Sequence, residues 1–167
     1  MSDTEIQAAI ENYLRARHAL LEMGRRYPSR IGGNDNIPGR IGEFLALRFL
    51  EKKLRQQPSK VTQRSNPGYD LIDKKRKLLT QVKVITAENE TGCSMRLKGG
   101  WDQFLLIQLG ENYQPNRIGV LTAKQHKQAR TDNPGWSSKP RVKLTMLGGK
   151  GLIGRYGTVF HGAELGL

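Results

Sequence analysis

The first part of the chain has the hydrophobic spacing of helices. Residues 4–23 carry apolar side chains three or four positions apart, which predicts a first helix that Gly24 stops. The Pro-, Gly- and Asn-rich residues 28–39 predict a loop. Pro38 favours a helix start, and the apolar stripe that follows predicts a second helix with Glu43 in its first turns.

Beyond this helix the spacing changes to that of β-strands. Short β-rich runs predict strands at residues 60–64, 68–73, 78–86, 103–109 and 117–121. Thr122 is suited to cap a third helix that Asn133 ends, and a last strand is predicted over residues 141–147. The glycine-spaced residues 148–167 have no dependable period, so they are predicted to be a C-terminal tail.

Residues 66–86 predict a β-hairpin whose loop is Lys74, Lys75, Arg76 and Lys77. Antiparallel pairing around this loop puts Asp70 opposite Gln81, and Lys83 follows on the same face. The alternate positions form an apolar face suited to packing on a helix: Tyr69, Leu71, Thr80, Val82 and Val84. A register shift of one residue would break this arrangement.

The shared face would bring together an acidic group, an amide oxygen and an ammonium group, as metal-assisted phosphodiester hydrolysis requires. Mg²⁺ prefers oxygen ligands, which Asp70, Gln81 and the Val82 backbone carbonyl can supply. Lys83 can orient or activate a water molecule and stabilise the transition state. The alternative is that Asp70 caps a turn, while Gln81 and Lys83 lie on the solvent face of an edge strand.

Asp70 followed by Gln81-Val82-Lys83 resembles the motif of the PD-(D/E)XK nuclease superfamily, particularly its Mrr-type restriction and Holliday-junction-resolvase branches. In that family a helix before the sheet often supplies a further acidic residue, and the helix with Glu43 is similar. The resemblance covers roughly residues 39–109. Two positions depart from the common form: Gly68-Tyr69 precedes Asp70 in place of proline, and Gln81 replaces an acidic residue, as in Mrr-like members.

The resemblance implies an α/β fold of the restriction-endonuclease type, a mixed β-sheet flanked by helices. It implies catalytic roles for Glu43, Asp70, Gln81 and Lys83, with Mg²⁺ held by the first three and the Val82 carbonyl, and Mn²⁺ able to substitute. The predicted organisation is one nuclease domain over residues 1–167. Its parts are an N-terminal helix and loop (1–37), a catalytic core (38–147) and the tail (148–167).

The charge of the chain bears on what the protein binds. The 28 Lys and Arg residues outnumber the 15 Asp and Glu residues, and the pI is near 10.2, which makes a polyanionic partner the first hypothesis. Composition alone fits equally well with an excess charge that only keeps the protein in solution. The candidate DNA-binding residues are Lys74, Lys75, Arg76, Lys77, Arg96, Lys98, Asn34 and Asn36. The lysine-rich loop could equally be a solvated turn, and turn formation also explains the two asparagines. Asp73 is predicted to be structural, Trp101 to pack in the core and Trp136 to contact bases or sugars.

Other features narrow the function classes. No stretch has the apolar length of a membrane span and the start lacks a secretory profile, so a cytoplasmic protein is expected. Cys93 is the single cysteine, which excludes an internal disulfide. The expected function is Mg²⁺-dependent cleavage of double-stranded DNA in restriction or genome defence, and a homodimer would allow both strands to be cut. Alternatives are a structure-specific nuclease for junctions or repair, a catalytically silent nucleic-acid-binding protein and a small RNA-binding protein.

Overall fold

Helices occupy the first third of the chain, and strands form the centre of the molecule. The computed structural model describes residues 3–31, 37–61, 68–87, 95–110 and 114–167. The helices are α1 (Asp3–Arg26), α2 (Pro28–Ile31), α3 (Ile37–Lys52), α4 (Ala123–Asp132) and α5 (Leu152–Tyr156), with 3₁₀ turns at Leu144–Leu147 and Gly162–Leu165. The strands are β1 (Pro58–Lys60), β2 (Leu71–Asp73), β3 (Leu78–Ile85), β4 (Gln103–Leu109), β5 (Pro115–Thr122) and β6 (Thr158–His161).

The strands of the described residues form one mixed six-stranded sheet in the order β1-β2-β3-β4-β5-β6. All neighbouring strands are antiparallel except β3 and β4, which are parallel. With helices packed on it, this sheet confirms the predicted α/β fold class.

Each face of the sheet carries its own apolar layer. On one face, α3 packs its buried side chains against β2, β3, β4 and β5; the largest contributors are Leu47, Phe49, Leu50, Leu71, Val82, Leu105 and Ile107. On the other face, Ile85, Phe104, Leu106 and Leu121 pack with residues of α4 and α5. The alternation along β3 therefore sends Val82 toward α3 and Ile85 toward α4, as a pleated strand requires.

Gly42 sets how closely α3 approaches the sheet. A Cβ atom at this position would lie 2.0 Å from Val84 Cγ2, so only glycine fits without a shift of the helix or the strand. The neighbouring Glu43 is thereby held close to β3.

The helix boundaries differ from the sequence predictions at two places. Gly24 does not stop α1, which continues to Arg26. Its missing side chain instead admits Arg40, whose Nη2 atom would lie 1.8 Å from a Cβ at Gly24, and Arg40 Nε donates to the Ile31 carbonyl over 2.9 Å. The predicted loop at 28–39 contains α2 and the start of α3.

The predicted last strand and the predicted tail were both wrong. Residues 144–147 form a 3₁₀ turn, and Arg141 makes only an isolated β-bridge with Arg96. The edge of β5 pairs instead with β6 in the supposed tail, from Arg117↔His161 to Val120↔Thr158. Residues 141–147 have the alternating apolar and polar pattern of a strand, but apart from the Arg141 bridge they do not join the sheet.

The third predicted helix was confirmed. Thr122 accepts a hydrogen bond from the Gln125 N–H, and the Gln125 side chain accepts one from the Thr122 N–H, which completes a capping box at the start of α4. Asn133 ends the helix.

Within the described residues, no helix combines the length and apolar character needed to cross a membrane.

Candidate functional site

The β2–β3 hairpin has the register that the sequence predicts. Leu71 pairs with Thr80, Ile72 with Leu79 and Asp73 with Leu78, and residues 74–77 form the turn. Lys77 adopts a left-handed conformation with φ of 55°, which closes this turn. The regular pairing ends at Leu71 and Thr80, so Asp70 lies just beyond it, beside residues 80–82 of β3.

Asp70 comes directly before the first residue of β2 and is bound to β3 by two hydrogen bonds. Its backbone N–H donates to the Thr80 carbonyl over 2.8 Å, and its carboxylate Oδ2 accepts from the Val82 N–H over 2.7 Å. The carboxylate thus replaces the backbone partner that a longer β2 would have offered to Val82. One side-chain oxygen is held against β3, so the orientation of the whole carboxylate is fixed.

Gln81 is buried, with 3% of its surface exposed, and its two amide atoms have different environments. The Nε2 atom donates to the Gly68 carbonyl over 3.1 Å. The Oε1 atom is buried and has no hydrogen-bond partner among the residues that the structure describes. Because an unpaired buried acceptor is costly, this oxygen is the acceptor of the site best suited to bind a ligand.

Glu43 reaches the same region from α3. Its carboxylate forms an ion pair with Lys60, whose side chain is only 9% exposed. Burial raises the pKa of the Glu43 carboxyl group; the Lys60 hydrogen bond and charge lower that pKa, the Asp70 charge raises it and the Lys83 charge lowers it. Glu43 is therefore within electrostatic range of both Asp70 and Lys83.

Lys60 is the residue of this site that the sequence interpretation missed. It lies in β1, where it pairs with Leu71, and the next residue, Val61, donates its N–H to the Asp70 carbonyl over 3.0 Å. The predicted strand at 60–64 was the available signal, since a strand beside β2 must pass close to Asp70.

The backbone geometry of β3 also sets the direction of the Val82 carbonyl group. The N–H of Val82 faces Asp70, and in an antiparallel ladder the N–H and C=O of one residue face the same neighbour. The Val82 carbonyl is therefore directed to the Asp70 side of β3. Gln81 and Lys83, on either side of Val82, share the opposite sheet face from the Val82 side chain.

The structure places Asp70 beside Val82 of β3, and Glu43 lies within electrostatic range of Asp70 and Lys83. Gln81 directly precedes Val82, and its side chain lies on the sheet face away from α3. Glu43 and Asp70 supply carboxylate oxygens and Gln81 supplies an amide oxygen, while Lys60 and Lys83 supply ammonium groups. Within the described part of the chain, no group of three His, Cys, Asp or Glu side chains is arranged to hold a metal ion. An ion at this position would need Gln81 or backbone and water oxygens to complete its coordination.

The loop of Lys74, Lys75, Arg76 and Lys77 lies at the other end of the hairpin from Asp70. Arg76 there has a structural task, since its guanidinium donates to the Leu54 carbonyl over 3.3 Å and to the Arg55 carbonyl over 2.8 Å. Asp73 accepts from the backbone N–H groups of Gln57 and Arg76 over 2.9 and 3.0 Å. Asp73 is therefore structural, as predicted. The exposed lysines of the loop remain candidates for nucleic-acid contact.

Arg96 and Lys98 lie in a segment that passes the site. A Cβ atom at Gly68 would lie 2.8 Å from the Gly99 carbonyl oxygen, so residues 98–100 run directly beside the loop that Gln81 binds. Both cations are exposed. The predicted contacts at Asn34 and Asn36 fall outside the described residues.

The two tryptophans have different surroundings. Trp101 is 7% exposed and packs near Phe104 and His126, which confirms its predicted core role. Trp136, which was predicted to contact bases or sugars, is half-buried and packs edge-to-face with Tyr156.

No protein-family model matches the chain, and a search of curated proteins found no match.

Proposed function

We propose that this protein is a metal-dependent DNA endonuclease whose site is formed by Glu43, Asp70, Gln81 and Lys83. The observation that carries the proposal is the unpartnered, buried Gln81 Oε1 atom among the described residues, at the level of a fixed Asp70 carboxylate. Glu43 lies within electrostatic range of that carboxylate. Oxygen atoms of these three side chains match the ligand preference of Mg²⁺.

The donor set fits Mg²⁺, with Mn²⁺ as a substitute. Asp70, Gln81, Glu43 and the Val82 carbonyl would hold the ion, and water or phosphate oxygens would complete an octahedron. When bound, the ion would lower the pKa of a coordinated water and offset charge on the phosphate.

The protein's own residues divide the remaining tasks. The Val82 N–H fixes the Asp70 carboxylate, and the Gly68 carbonyl fixes the Gln81 amide so that Oε1 is the free end. Lys83 would orient the attacking water and stabilise negative charge that develops on the phosphate. Lys60 neutralises Glu43 and so lowers the electrostatic cost of placing two carboxylates near each other.

DNA is the proposed partner because the chain carries a formal charge of +13 and exposes Arg96 and Lys98 beside the site. We extend the proposal to double-stranded DNA, a role in restriction or genome defence, action in the cytoplasm and a homodimer that cuts both strands. Junction resolution or repair is the same chemistry on another substrate.

One observation favours a second candidate, a catalytically silent nucleic-acid-binding protein. Gln81 is neutral and the Glu43 carboxylate is already paired with Lys60, so the site has less net negative charge for a cation than two free carboxylates would provide.

Incubation with supercoiled plasmid, linear duplex and a four-way DNA junction separates these functions. Each substrate is incubated with Mg²⁺, with Mn²⁺ and with EDTA. The proposal expects cleavage with either metal and none with EDTA, and the preferred substrate distinguishes restriction from junction resolution. Metal-independent binding of every substrate without any cleavage would favour the silent binding protein.

A further inference from the structure

A cavity of about 330 Å³ lies on the sheet face that carries α4 and α5, away from α3. It is formed by α4, the loop after α4 and the segment that leads into α5. Neither Glu43 nor Asp70 lines this cavity. The residues that matter for its chemistry are His126, Arg130, Trp136, Met146, Lys150 and Leu152.

The cavity presents a fixed aromatic ring next to apolar side chains. The backbone N–H of Trp136 donates to the Asn133 carbonyl over 2.9 Å, and the Trp136 ring packs against Tyr156 with centroids 6.0 Å apart and planes at 80°. Asn133 Nδ2 in turn donates to the Tyr156 hydroxyl over 2.8 Å. Met146 and Leu152 are buried and add apolar surface.

Another part of the cavity wall is the turn at residues 148–151. The Gly151 N–H donates to the Gly148 carbonyl over 2.7 Å, and a Cβ at Gly151 would lie 2.0 Å from the Thr145 carbonyl oxygen. Backbone contacts therefore hold this wall in place. A ligand would meet a site that is already formed, which reduces the ordering cost of binding.

The charge of the cavity favours an anion. Arg130 and Lys150 line it, and no carboxylate occurs among its described lining residues. Residues 123–157 carry a single acidic residue, Asp132, against eight cations: Lys124, Lys127, Arg130, Lys139, Arg141, Lys143, Lys150 and Arg155. Burial lowers the pKa of His126, as does the Arg130 charge, and both favour the uncharged imidazole. It can share hydrogen bonds with a polar ring edge.

We infer that this cavity binds one nucleotide, with the base against Trp136 and the phosphate at Arg130 and Lys150. Its volume is at the low end of the roughly 300–1,000 Å³ typical of small-molecule sites, so one nucleotide is a suitable size. Aromatic side chains bind any base through its face, and cations bind its phosphate. The inference goes beyond the proposed cleavage, because the cavity requires neither a metal nor Asp70.

Isothermal titration in EDTA tests this site with deoxyadenosine 5′-monophosphate, deoxyadenosine and inorganic phosphate as probes. The monophosphate should bind tighter than either fragment. Trp136→Leu should weaken monophosphate binding roughly tenfold or more, whereas Trp136→Phe should keep most of the affinity. Replacing both Arg130 and Lys150 by Gln should reduce monophosphate affinity to that of the nucleoside.

The double variant Lys124→Gln, Lys127→Gln is the matched control. It removes two positive charges from α4, the helix of Arg130, at residues that do not line the cavity. This control should leave monophosphate binding unchanged. Circular dichroism and thermal unfolding verify that each variant is folded. No monophosphate binding by the wild type, or equal losses in the control and the Arg130/Lys150 variant, would overturn the inference.

Two further arms identify the source of the nucleotide and separate this site from the proposed nuclease. If the site serves a strand, Trp136→Leu also weakens binding of a single-stranded deoxyadenosine oligomer; if it serves a free nucleotide, oligomer binding is unchanged while monophosphate binding falls. Asp70→Asn should bind the monophosphate like the wild type. Intact monophosphate binding without any metal-dependent cleavage would remove the nuclease and leave this cavity assigned.

Discussion

Gln81 combines deep burial with an acceptor atom that no described residue satisfies. Leaving such an atom unpaired costs about 1–3 kcal/mol, and an apolar residue at this position would avoid that cost. The amide is held by its Nε2 contact to the Gly68 carbonyl, so its Oε1 atom has a defined position. A ligand role explains both features.

Substitution at residue 81 tests that role. Gln81→Glu keeps the shape and adds a charged oxygen, so the concentration of Mg²⁺ for half-maximal DNA cleavage should fall while activity remains measurable. Gln81→Ala should need more Mg²⁺. The measurement is a metal titration of cleavage, and identical titrations for all three proteins would place residue 81 outside the metal shell.

Asp73 offers a pH test of local stability. The hydrogen bond from the Gln57 N–H lowers the pKa of this carboxyl group most, and burial opposes it. Hydrogen bonds from the Arg76 and Lys75 N–H groups and the Arg76 charge lower the pKa further, so it lies below its ordinary value of 3.8. A depressed folded pKa adds stability above the unfolded pKa, and that stability is lost as pH falls through the folded pKa.

Asp73→Asn should therefore reduce the free energy of unfolding at neutral pH by on the order of 1–3 kcal/mol. The difference from the wild type should shrink below pH 3.8 as the wild-type carboxylate gains its proton. Urea unfolding across this pH range measures it, and a difference that does not change with pH would rule out the charged hydrogen bonds as its cause.

Among elements, α3 positions the acidic residue that comes from outside the hairpin. Gly42 allows α3 to lie against Val84, and Glu43 follows directly. Gly42→Ala gains up to about 1 kcal/mol of helix propensity, but the clash with Val84 should cost about 1–3 kcal/mol. We expect lower stability in urea and a larger loss of cleavage, because Glu43 moves with the helix.

Gly149→Ala is the control for that substitution, since a Cβ there would meet nothing within 4 Å. It should behave like the wild type. Equal stability of Gly42→Ala and Gly149→Ala would contradict the close approach of α3 to the sheet.

The elements that sequence predicts best are those with local causes. The hairpin followed from a polar turn between two alternating runs, and its register from the length of that turn. Thr122 and Gln125 are neighbours on α4, so its start was also readable. By contrast β6 pairs with β5, some forty positions earlier, and the Lys60–Glu43 ion pair joins a strand to a helix. Neither long-range contact leaves a periodic pattern in the sequence.

For the molecule as a whole, the placement of charge matters more than its sum. Lys98 directly precedes Gly99, whose carbonyl oxygen lies beside Gly68, and Arg96 is two residues earlier in the same segment, whereas Lys74, Lys75 and Lys77 lie at the far end of the hairpin. Each phosphate contact contributes about −0.9 to the slope of log K against log salt for duplex DNA. The two groups of cations therefore make different predictions.

Replacing Arg96 and Lys98 by Gln should make the salt slope shallower by about 1.8 if each contacts one phosphate. Replacing Lys74, Lys75 and Lys77 by Gln should change it less, and Arg76 is left in place because it binds backbone carbonyls. Fluorescence anisotropy with labelled duplex at several salt concentrations measures both. The reverse order would move the DNA-binding surface to the hairpin turn.

The proposed role of Asp70 as a metal ligand in DNA cleavage is tested most directly by the rate of plasmid cleavage in Mg²⁺. The proteins to compare with the wild type are Asp70→Asn and a matched carboxylate variant. Asparagine at residue 70 keeps an acceptor for the Val82 N–H but removes the anionic metal ligand. Asp132→Asn removes an exposed carboxylate on α4. We expect a rate at least about 10²-fold lower for Asp70→Asn, with DNA binding kept, and an unchanged rate for Asp132→Asn. Near-normal cleavage by Asp70→Asn would contradict the proposed role.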